Sequence, residues 1–221
     1  MSDIKNILCF GDSNTWGAQP GSLKRYPADL RWPGVAAEAL GSGYHIIEEG
    51  LNGRTTVFED PTSDHCRSGI AWLPTCLASH RPLDLVILAL GLNDLQVRYS
   101  ATVRDVAMGA GRLVRAVRTY PESGPDGKHP PQVLLLAPAP MHPDIARLPY
   151  GVDMHGQDGC ARSRELGKAY EAKARELGCH FFDAARVVPH ASAVDGLHLE
   201  PEDHRALGLA LAAEIRGILE G

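Results

Sequence analysis

The sequence predicts an α/β protein with a central parallel sheet of about five strands that is flanked by helices. Short apolar runs alternate along the chain with longer segments of helical character, which is the order expected of strand–helix–strand units. The run at residues 84–90 is apolar almost throughout, as in a parallel strand that is covered on both faces. The chain contains no internal repeat, low-complexity tract or change in composition, so we expect residues 1–221 to form a single domain.

Three strands are predicted in the first half of the chain, and each one leads into a turn that contains glycine. These strands are expected near residues 7–10, 44–48 and 84–90. A helix is expected over about residues 31–40, because Pro33 falls in its first turn and Gly41 follows its last residue. Residues 55–82 predict a loop and a short helix.

The second half of the chain adds two strands and three helices. Periodicity and the bounding glycines and prolines place a helix at residues 103–120, a strand at 132–136, a helix at 162–177, a strand at 179–183 and a helix from 201 to about 219. Residues 138–159 contain several prolines and glycines and little periodicity, so they predict a long loop or lid. In a parallel sheet, the turns that follow the strands meet at one edge, where ligands bind.

Charge and composition exclude several classes of partner. The net charge of -5 at pH 7 provides no basic footprint, so we expect no nucleic-acid partner. The residues before the first strand lack an extended apolar region, and no apolar run approaches the length needed to span a membrane. We therefore expect a cytoplasmic protein with no membrane association. The five cysteines are dispersed and form no CxxC pair, which favours reduced thiols over a disulfide framework or a metal site.

The turn after the first strand carries a candidate nucleophile, Ser13. A serine hydroxyl becomes reactive only when a base accepts its proton, and His198 is the best-placed histidine to do so. Asp195 precedes His198 by three residues on the same predicted loop, so its carboxylate can hold one ring nitrogen of the imidazole while the other faces Ser13. These residue types in this arrangement point to acyl transfer.

Acyl transfer also requires donors for the oxyanion that develops in the transition state. The turns after the second and third strands supply two candidates, the backbone N–H of Gly53 and the side-chain amide of Asn93. The N–H of Ser13 is a third candidate. Asp12 is expected mainly to brace the turn by accepting backbone N–H groups, and a direct role towards the substrate is the alternative for it.

Four further residues flank these turns and are candidates for the acyl pocket. They are Trp16, Leu51, Asn52 and Leu92, and each of them could instead serve ordinary packing or turn structure.

These segments, taken in chain order, resemble the blocks of the SGNH (GDSL-type) hydrolase superfamily. The matching residues are Gly11-Asp12-Ser13, Gly53, Gly91-Leu92-Asn93-Asp94 and Asp195-Gly196-Leu197-His198. More narrowly, segments such as Arg54-Thr55-Thr56 and Asp60-Pro61-Thr62 are similar to the bacterial arylesterase/acyltransferase (perhydrolase) branch. The resemblance covers nearly the whole chain.

The resemblance implies a flavodoxin-like three-layer α/β/α sandwich and a serine esterase that acts on small, short-acyl esters through an acyl-enzyme on Ser13, without a cofactor. It also implies acyltransferase or perhydrolase activity and a homo-oligomer. By this comparison Ser13, Asp195 and His198 form the catalytic triad, and Ser13, Gly53 and Asn93 form the oxyanion hole. The chain departs from the family at Asn14, where leucine is the commonest residue, and we expect altered packing or hydrogen bonding there without loss of activity. Residues 138–161 also match the branch poorly.

Two other functions remain open at this point. The same triad could remove acetyl groups from sugars or cleave thioesters. A non-enzymatic flavodoxin-like module could instead bind a nucleotide or flavin at the same edge, although Asp195 and His198 would have no purpose in it.

Overall fold

The computed structural model describes residues 4–22 and 24–221, and its centre is a five-stranded parallel sheet. The sequence expectations for residues 1–3 and for position 23 lie outside the described residues. The strands lie in the order β2-β1-β3-β4-β5. They are β1 (Lys5–Gly11), β2 (Tyr44–Gly50), β3 (Leu85–Ala89), β4 (Gln132–Ala137) and β5 (His180–Asp183).

Helices cover both faces of the sheet. They are α1 (Ser13–Trp16), α2 (Trp32–Leu40), α3 (Gly69–His80), α4 (Val103–Arg118), α5 (Gly156–Leu177) and α6 (Pro201–Glu220). Helices α2 and α6 pack together on one face, and α3, α4 and α5 pack on the other. The three-layer α/β/α fold predicted from the sequence is therefore confirmed. No helix in the described part of the chain is long and apolar enough to cross a membrane.

Alternation along β3 shows how the apolar run builds two cores. Val86 and Leu88 pack into the cluster under α3, α4 and α5, whereas Leu85 and Ile87 pack into the cluster under α2 and α6. All four are buried. Since successive side chains of a strand point to opposite faces, a strand between two helical layers must be apolar at every position. Burying a side chain of this size contributes about 1.5–3 kcal/mol.

The predicted helix ends are largely those observed. Pro201 stands in the first turn of α6, where its missing N–H costs no hydrogen bond. Helix α4 begins with a capping box, in which Thr102 accepts the N–H of Asp105 and the Asp105 carboxylate accepts the N–H of Thr102. Helix α5 ends at Gly178 in the left-handed region.

The stretch at residues 138–159 differs from the expected loop, because α5 begins at Gly156 and not at residue 162. The preceding segment contains a short 3-10 turn, Ile145–Arg147. Glycines lower helix propensity, so the sequence pattern around Gly156 and Gly159 does not predict the first turns of α5. A Cβ at position 159 would lie 1.6 Å from the carbonyl oxygen of Met154, so the tight entry into the helix requires glycine there.

The sheet order brings the first three strand ends together. Strand β1 lies between β2 and β3, and Gly11 at its end is paired in register with Gly50 and Ala89. A Cβ at Gly50 would lie 2.2 Å from the backbone nitrogen of Trp16, so this glycine allows α1 to pack directly on the end of the sheet. The turns after β1, β2 and β3 therefore share one edge.

Candidate active site

Ser13 is the first residue of α1, immediately after β1. The Asp12 side chain caps this short helix by accepting the N–H of Asn14 at 3.0 Å. Ser13 is 8% exposed, and its hydroxyl lies at a cleft of about 320 Å³. The strand–turn–helix geometry thus presents the hydroxyl at the carboxyl edge of the sheet, as the sequence predicts.

The structure brings His198 and Asp195 to Ser13. Nε2 of His198 lies 3.1 Å from Oγ of Ser13, and Nδ1 of the same ring lies 2.7 Å from a carboxylate oxygen of Asp195. An ionised carboxylate only accepts hydrogen bonds, so Nδ1 carries the proton and Nε2 is left to accept the serine proton. The three side chains form a continuous row of hydrogen-bonded groups. The Asp195 side chain stands at the inner end of this row and is only 1% exposed.

The Asp195 carboxylate is held in its ionised form by several donors. One oxygen accepts the backbone N–H groups of Leu197 and His198, each at 3.0 Å, and the other accepts the N–H of Gly21 at 2.9 Å. Burial acts to raise the pKa of Asp195, but the hydrogen bonds and the charge of His198 outweigh it, and the pKa lies well below its ordinary value. The contribution of Gly21, from a loop remote in sequence, was not predicted.

All three predicted oxyanion donors line the same cleft as His198. In the described part of the chain, the N–H groups of Ser13 and Gly53 donate to no protein acceptor. Nδ2 of Asn93 donates one proton to the carbonyl oxygen of Arg54 at 3.1 Å, and its carbonyl oxygen accepts from Gln96 at 3.2 Å. Nδ2 of Asn93 also lies 3.5 Å from a carboxylate oxygen of Asp12, at the limit of a hydrogen bond, and this weak contact leaves the second Nδ2 proton available to a ligand.

A buried carboxylate ties the loop of Gly53 to the loop of Asn93. Asp94 is fully buried and accepts the backbone N–H of Thr56 at 3.0 and 3.1 Å as well as its hydroxyl. Burial raises the pKa of Asp94 to about 7, although the bonds from Thr56 act in the opposite direction.

Arg54 joins the same loops to the end of the sheet. Its guanidinium donates to the carbonyl oxygens of Gly11, at 2.9 Å, and of Glu49. The guanidinium also lies over the Phe10 ring, 4.2 Å from its centroid.

Asp12 lies beside these donors. Burial raises the pKa of its carboxyl group to about 6, against the lowering effects of the Asn14 N–H and of the charges on His198 and Arg54. One of its oxygens lies 3.5 Å from Nδ2 of Asn93. Its position as the cap of α1 agrees with the bracing role expected for it.

The predicted pocket residues divide into two groups. Trp16, Asn52 and Leu92 line the cleft. Leu51 does not line it, and the backbone of Leu51 instead shapes the turn by donating to the carbonyl of Gly11 at 3.1 Å and accepting from the N–H of Arg54 at 3.0 Å.

Several lining residues were missed because they lie on loops without a recognisable pattern. They are Arg67, Gln96, Arg98, Tyr99, Tyr150, Asp153 and Met154. The ring of Tyr150 meets His198 edge-on, with the two ring centroids 5.9 Å apart. A single aromatic residue in an irregular loop carries no sequence signal that would place it against the predicted base.

Asn14, the position at which the chain departs from the resemblance, makes hydrogen bonds on both sides of His198. Its Nδ2 donates to the carbonyl of Leu197 at 3.1 Å, and its Oδ1 accepts the N–H of Leu199 at 3.2 Å. The residue after Ser13 thus braces the loop that carries His198. Among the described residues, no three His, Cys, Asp or Glu side chains come together in a group that could hold a metal ion.

The sequence and fold are similar to those of known ester hydrolases. Residues 9–206 match the model of the GDSL-like Lipase/Acylhydrolase family. The native aryl esterase of M. smegmatis is 40% identical, with a TM-score of 0.89 over 97% of this chain and 100% of that one. A carbohydrate acetylesterase from Sinorhizobium meliloti is 39% identical, with a TM-score of 0.88 over 97% of this chain and 99% of that one. No sequence among curated proteins matches the chain.

The Asn14→Ala variant tests the brace around His198. Removing the amide leaves the carbonyl of Leu197 and the N–H of Leu199 without their partner, so the free energy of unfolding should fall by about 1–3 kcal/mol. Displacement of His198 should also lower kcat for ester hydrolysis by about tenfold. Urea denaturation and steady-state kinetics measure the two effects.

Gln157→Ala is the matched control for this variant. Its side-chain amide also donates to a backbone carbonyl, that of Pro143 at 2.7 Å, but Gln157 is exposed, does not line the cleft and makes no hydrogen bond to residues 195–199. It should change the free energy of unfolding by less than about 0.5 kcal/mol. Equal losses in the two variants would contradict the brace.

The Asp94→Asn variant tests the raised pKa of the buried carboxyl. In the folded protein this pKa is about 7, against an ordinary value of 3.8, so between these values the folded state binds the proton more tightly than the unfolded state. The Asp94 contribution to stability is therefore lost as pH rises from about 4 to about 7. Relative to wild type, the free energy of unfolding of Asp94→Asn should increase over this interval. Urea denaturation at several pH values checks the slope, and a difference independent of pH would contradict it.

Proposed function

Since this chain belongs to the GDSL-like lipase/acylhydrolase family and is a carboxylic ester hydrolase, we propose that Ser13, His198 and Asp195 are its catalytic triad. The main support is a pair of distances at the mouth of one cleft. Oγ of Ser13 lies 3.1 Å from Nε2 of His198, and Nδ1 of His198 lies 2.7 Å from the Asp195 carboxylate. The nucleotide or flavin module considered from the sequence is not the function.

In the acylation half-reaction, Oγ of Ser13 attacks the ester carbonyl carbon while its proton passes to Nε2 of His198. The tetrahedral intermediate collapses when the bond to the alkoxy oxygen breaks, and His198 returns the proton to that oxygen. The alcohol leaves, and the acyl group remains esterified to Ser13. Water then attacks this ester in the same way, with His198 accepting its proton and returning it to Oγ of Ser13.

Asp195 supports both half-reactions without exchanging a proton. Its low pKa keeps it ionised, so it holds the Nδ1 proton of His198 and stabilises the imidazolium that forms during each attack.

The oxyanion is stabilised by the N–H groups of Ser13 and Gly53 and by Nδ2 of Asn93. The support for these roles is that all three line the cleft and that the two backbone N–H groups have no protein acceptor among the described residues. Each such donor contributes about 3–4 kcal/mol to lowering the barrier.

The substrate class is a small ester with a short acyl chain. A cleft of about 320 Å³ lined by Trp16, Tyr99 and Tyr150 supports a compact group beside Ser13. The leaving group is either an aryl alcohol or the hydroxyl group of a sugar, since the M. smegmatis and Sinorhizobium meliloti neighbours are an aryl esterase and a carbohydrate acetylesterase. A second cavity that shares Asp60, Arg98, Tyr99 and Asp153 with the cleft offers polar partners for sugar hydroxyls.

We also infer a single-domain, homo-oligomeric and cytoplasmic protein. One sheet contains all five strands, which supports the single domain. All five cysteines are free thiols, as is usual in a reducing compartment. The homo-oligomer follows from the resemblance to the arylesterase branch, and solution mass would test it.

The Ser13→Ala variant tests the nucleophile. Removing Oγ abolishes the acyl-enzyme, so kcat for hydrolysis of 4-nitrophenyl acetate should fall by roughly 10³–10⁶-fold. A fluorophosphonate should label wild type at one site and should not label the variant. Ser42→Ala, in an exposed turn remote from the cleft, should keep full activity and labelling. Near-normal turnover by Ser13→Ala would overturn the proposed function.

A series of 4-nitrophenyl esters from acetate to octanoate tests the acyl preference. The value of kcat/KM should decline by at least about tenfold along the series, because longer chains extend beyond the contacts that the cleft provides. Including ethanol in the acetate reaction measures acyl transfer, which should appear as ethyl acetate beside acetic acid. An increase of kcat/KM towards octanoate would contradict the short-acyl assignment, and strict hydrolysis would reject acyl transfer.

A further inference from the structure

Arg67 contacts the peptide that carries one of the proposed oxyanion donors. Its guanidinium donates to the carbonyl oxygen of Asn52, and this oxygen belongs to the same peptide unit as the N–H of Gly53. The guanidinium lies along this peptide, since a Cβ built at Gly53 would be 3.3 Å from its Nη1.

We propose that Arg67 is a positioning residue that orients and polarises the Asn52–Gly53 peptide for oxyanion stabilisation. This inference rests on the oxyanion role of Gly53 in the proposed function.

The orientation of this peptide needs a constraint. Gly53 has φ of 74°, in the left-handed region, and glycine moves between backbone conformations at low cost. In a trans peptide the C=O and N–H point in opposite directions, so a donor that holds the oxygen of Asn52 also fixes the direction of the Gly53 N–H. That N–H has no protein acceptor in the described part of the chain, so no other hydrogen bond performs this task at the nitrogen.

The charge on Arg67 also acts on the peptide. The guanidinium of Arg67 forms no ion pair with a carboxylate in residues 4–22 and 24–221, whereas the guanidinium of Arg98 in the same cleft is paired with Asp60 at 2.6 Å. A charge-assisted hydrogen bond to a carbonyl oxygen draws electron density from the amide and makes its N–H a stronger donor.

Two acidic residues lie near Arg67, but neither forms an ion pair with its guanidinium. Glu59 accepts the backbone N–H of Arg67 at 3.1 Å and forms no ion pair with its guanidinium. Asp153 is exposed and comes from another loop of the cleft.

Arg67 is itself held in place. Its Nε donates to Oγ of Ser63 at 2.9 Å, and its carbonyl oxygen accepts the N–H of Thr55 at 2.9 Å. The second contact joins its backbone to the loop of Gly53, so the guanidinium and the peptide it contacts are parts of one assembly. Such a residue acts before the substrate arrives, which is what preorganisation requires.

This role predicts a loss in kcat and little change in KM. A stronger, better-aimed N–H matters most when the carbonyl oxygen becomes an oxyanion, so its loss affects the transition state more than the bound ester. The Arg67→Met variant keeps the length of the side chain and removes its donors and charge. Its kcat for 4-nitrophenyl acetate should fall about 10- to 100-fold with KM nearly unchanged.

The experiment compares wild type with Arg67→Met, Arg67→Lys and Arg175→Met, with kcat expressed per active site titrated by a fluorophosphonate. Arg67→Lys keeps the charge and should recover part of the activity. Arg175→Met, which breaks only an exposed pair with Glu171, should equal wild type. Affinity for a trifluoromethyl ketone, which forms a stable oxyanion adduct with a serine nucleophile, should weaken in Arg67→Met by the same factor as kcat/KM.

Three results would overturn the inference. They are a normal kcat per titrated site, a change in KM alone, or a loss confined to esters that carry a carboxylate, since this last result would make Arg67 a substrate-binding cation. The Ser13→Ala variant distinguishes a failure of the Arg67 role from a failure of the proposed function. If it is inactive while Arg67→Met is normal, only the role of Arg67 fails, whereas an active Ser13→Ala overturns the proposed function as well.

Discussion

The hydrogen bonds of the buried Asp94 carboxylate to Thr56 set the spacing between the loops that carry Gly53 and Asn93. Backbone N–H groups at the end of a strand can point in many directions, and an oxyanion hole needs several of them aimed at one point. A carboxylate that accepts a backbone N–H across two loops removes that freedom. The cost is a carboxyl group buried away from water, which is why its pKa is raised to about 7. Burial of Asp94 thus lowers the stability of the folded protein at a position where the carboxylate orders the site.

The other half of the site is ordered from the last loop of the chain. His198 is held through its ring by Asp195 and through the peptides on either side of it by Asn14. Because Asn14 directly follows Ser13, the short helix that carries the proposed nucleophile also braces the proposed base, His198. The 3.1 Å approach of Nε2 to Oγ then depends on few rotatable bonds, and such preorganisation lowers the entropy lost on reaching the transition state.

The parts of the site that could be predicted from the sequence lie within short segments of the chain. The Gly11–Ser13 turn and the Asp195–His198 spacing each hold their chemistry within four residues, and the apolar strands place them at one edge. Contacts between distant segments had no such signal. The bond from Gly21 to Asp195, the contact of Arg67 with Asn52 and the packing of Tyr150 on His198 depend on how irregular loops fold over the sheet. The first turns of α5 were missed for a local reason, because glycines at 156 and 159 conceal a helix that tertiary contacts stabilise.

The charged groups around the proposed oxyanion donors act in opposite directions. Asp12 accepts the N–H of Asn14, and Asp94 accepts the N–H of Thr56. When Asp12 is ionised, its carboxylate 3.5 Å from Nδ2 of Asn93 orients that amide yet opposes the negative charge that develops on the substrate. Burial reduces this opposition by raising both pKa values towards neutrality. The guanidinium of Arg67, which has no ion pair among the described residues, would act in the favourable direction through the Gly53 peptide in the role proposed for it. The carboxylates therefore order the loops, and in the proposed role of Arg67 its positive charge opposes part of their field at the Gly53 peptide.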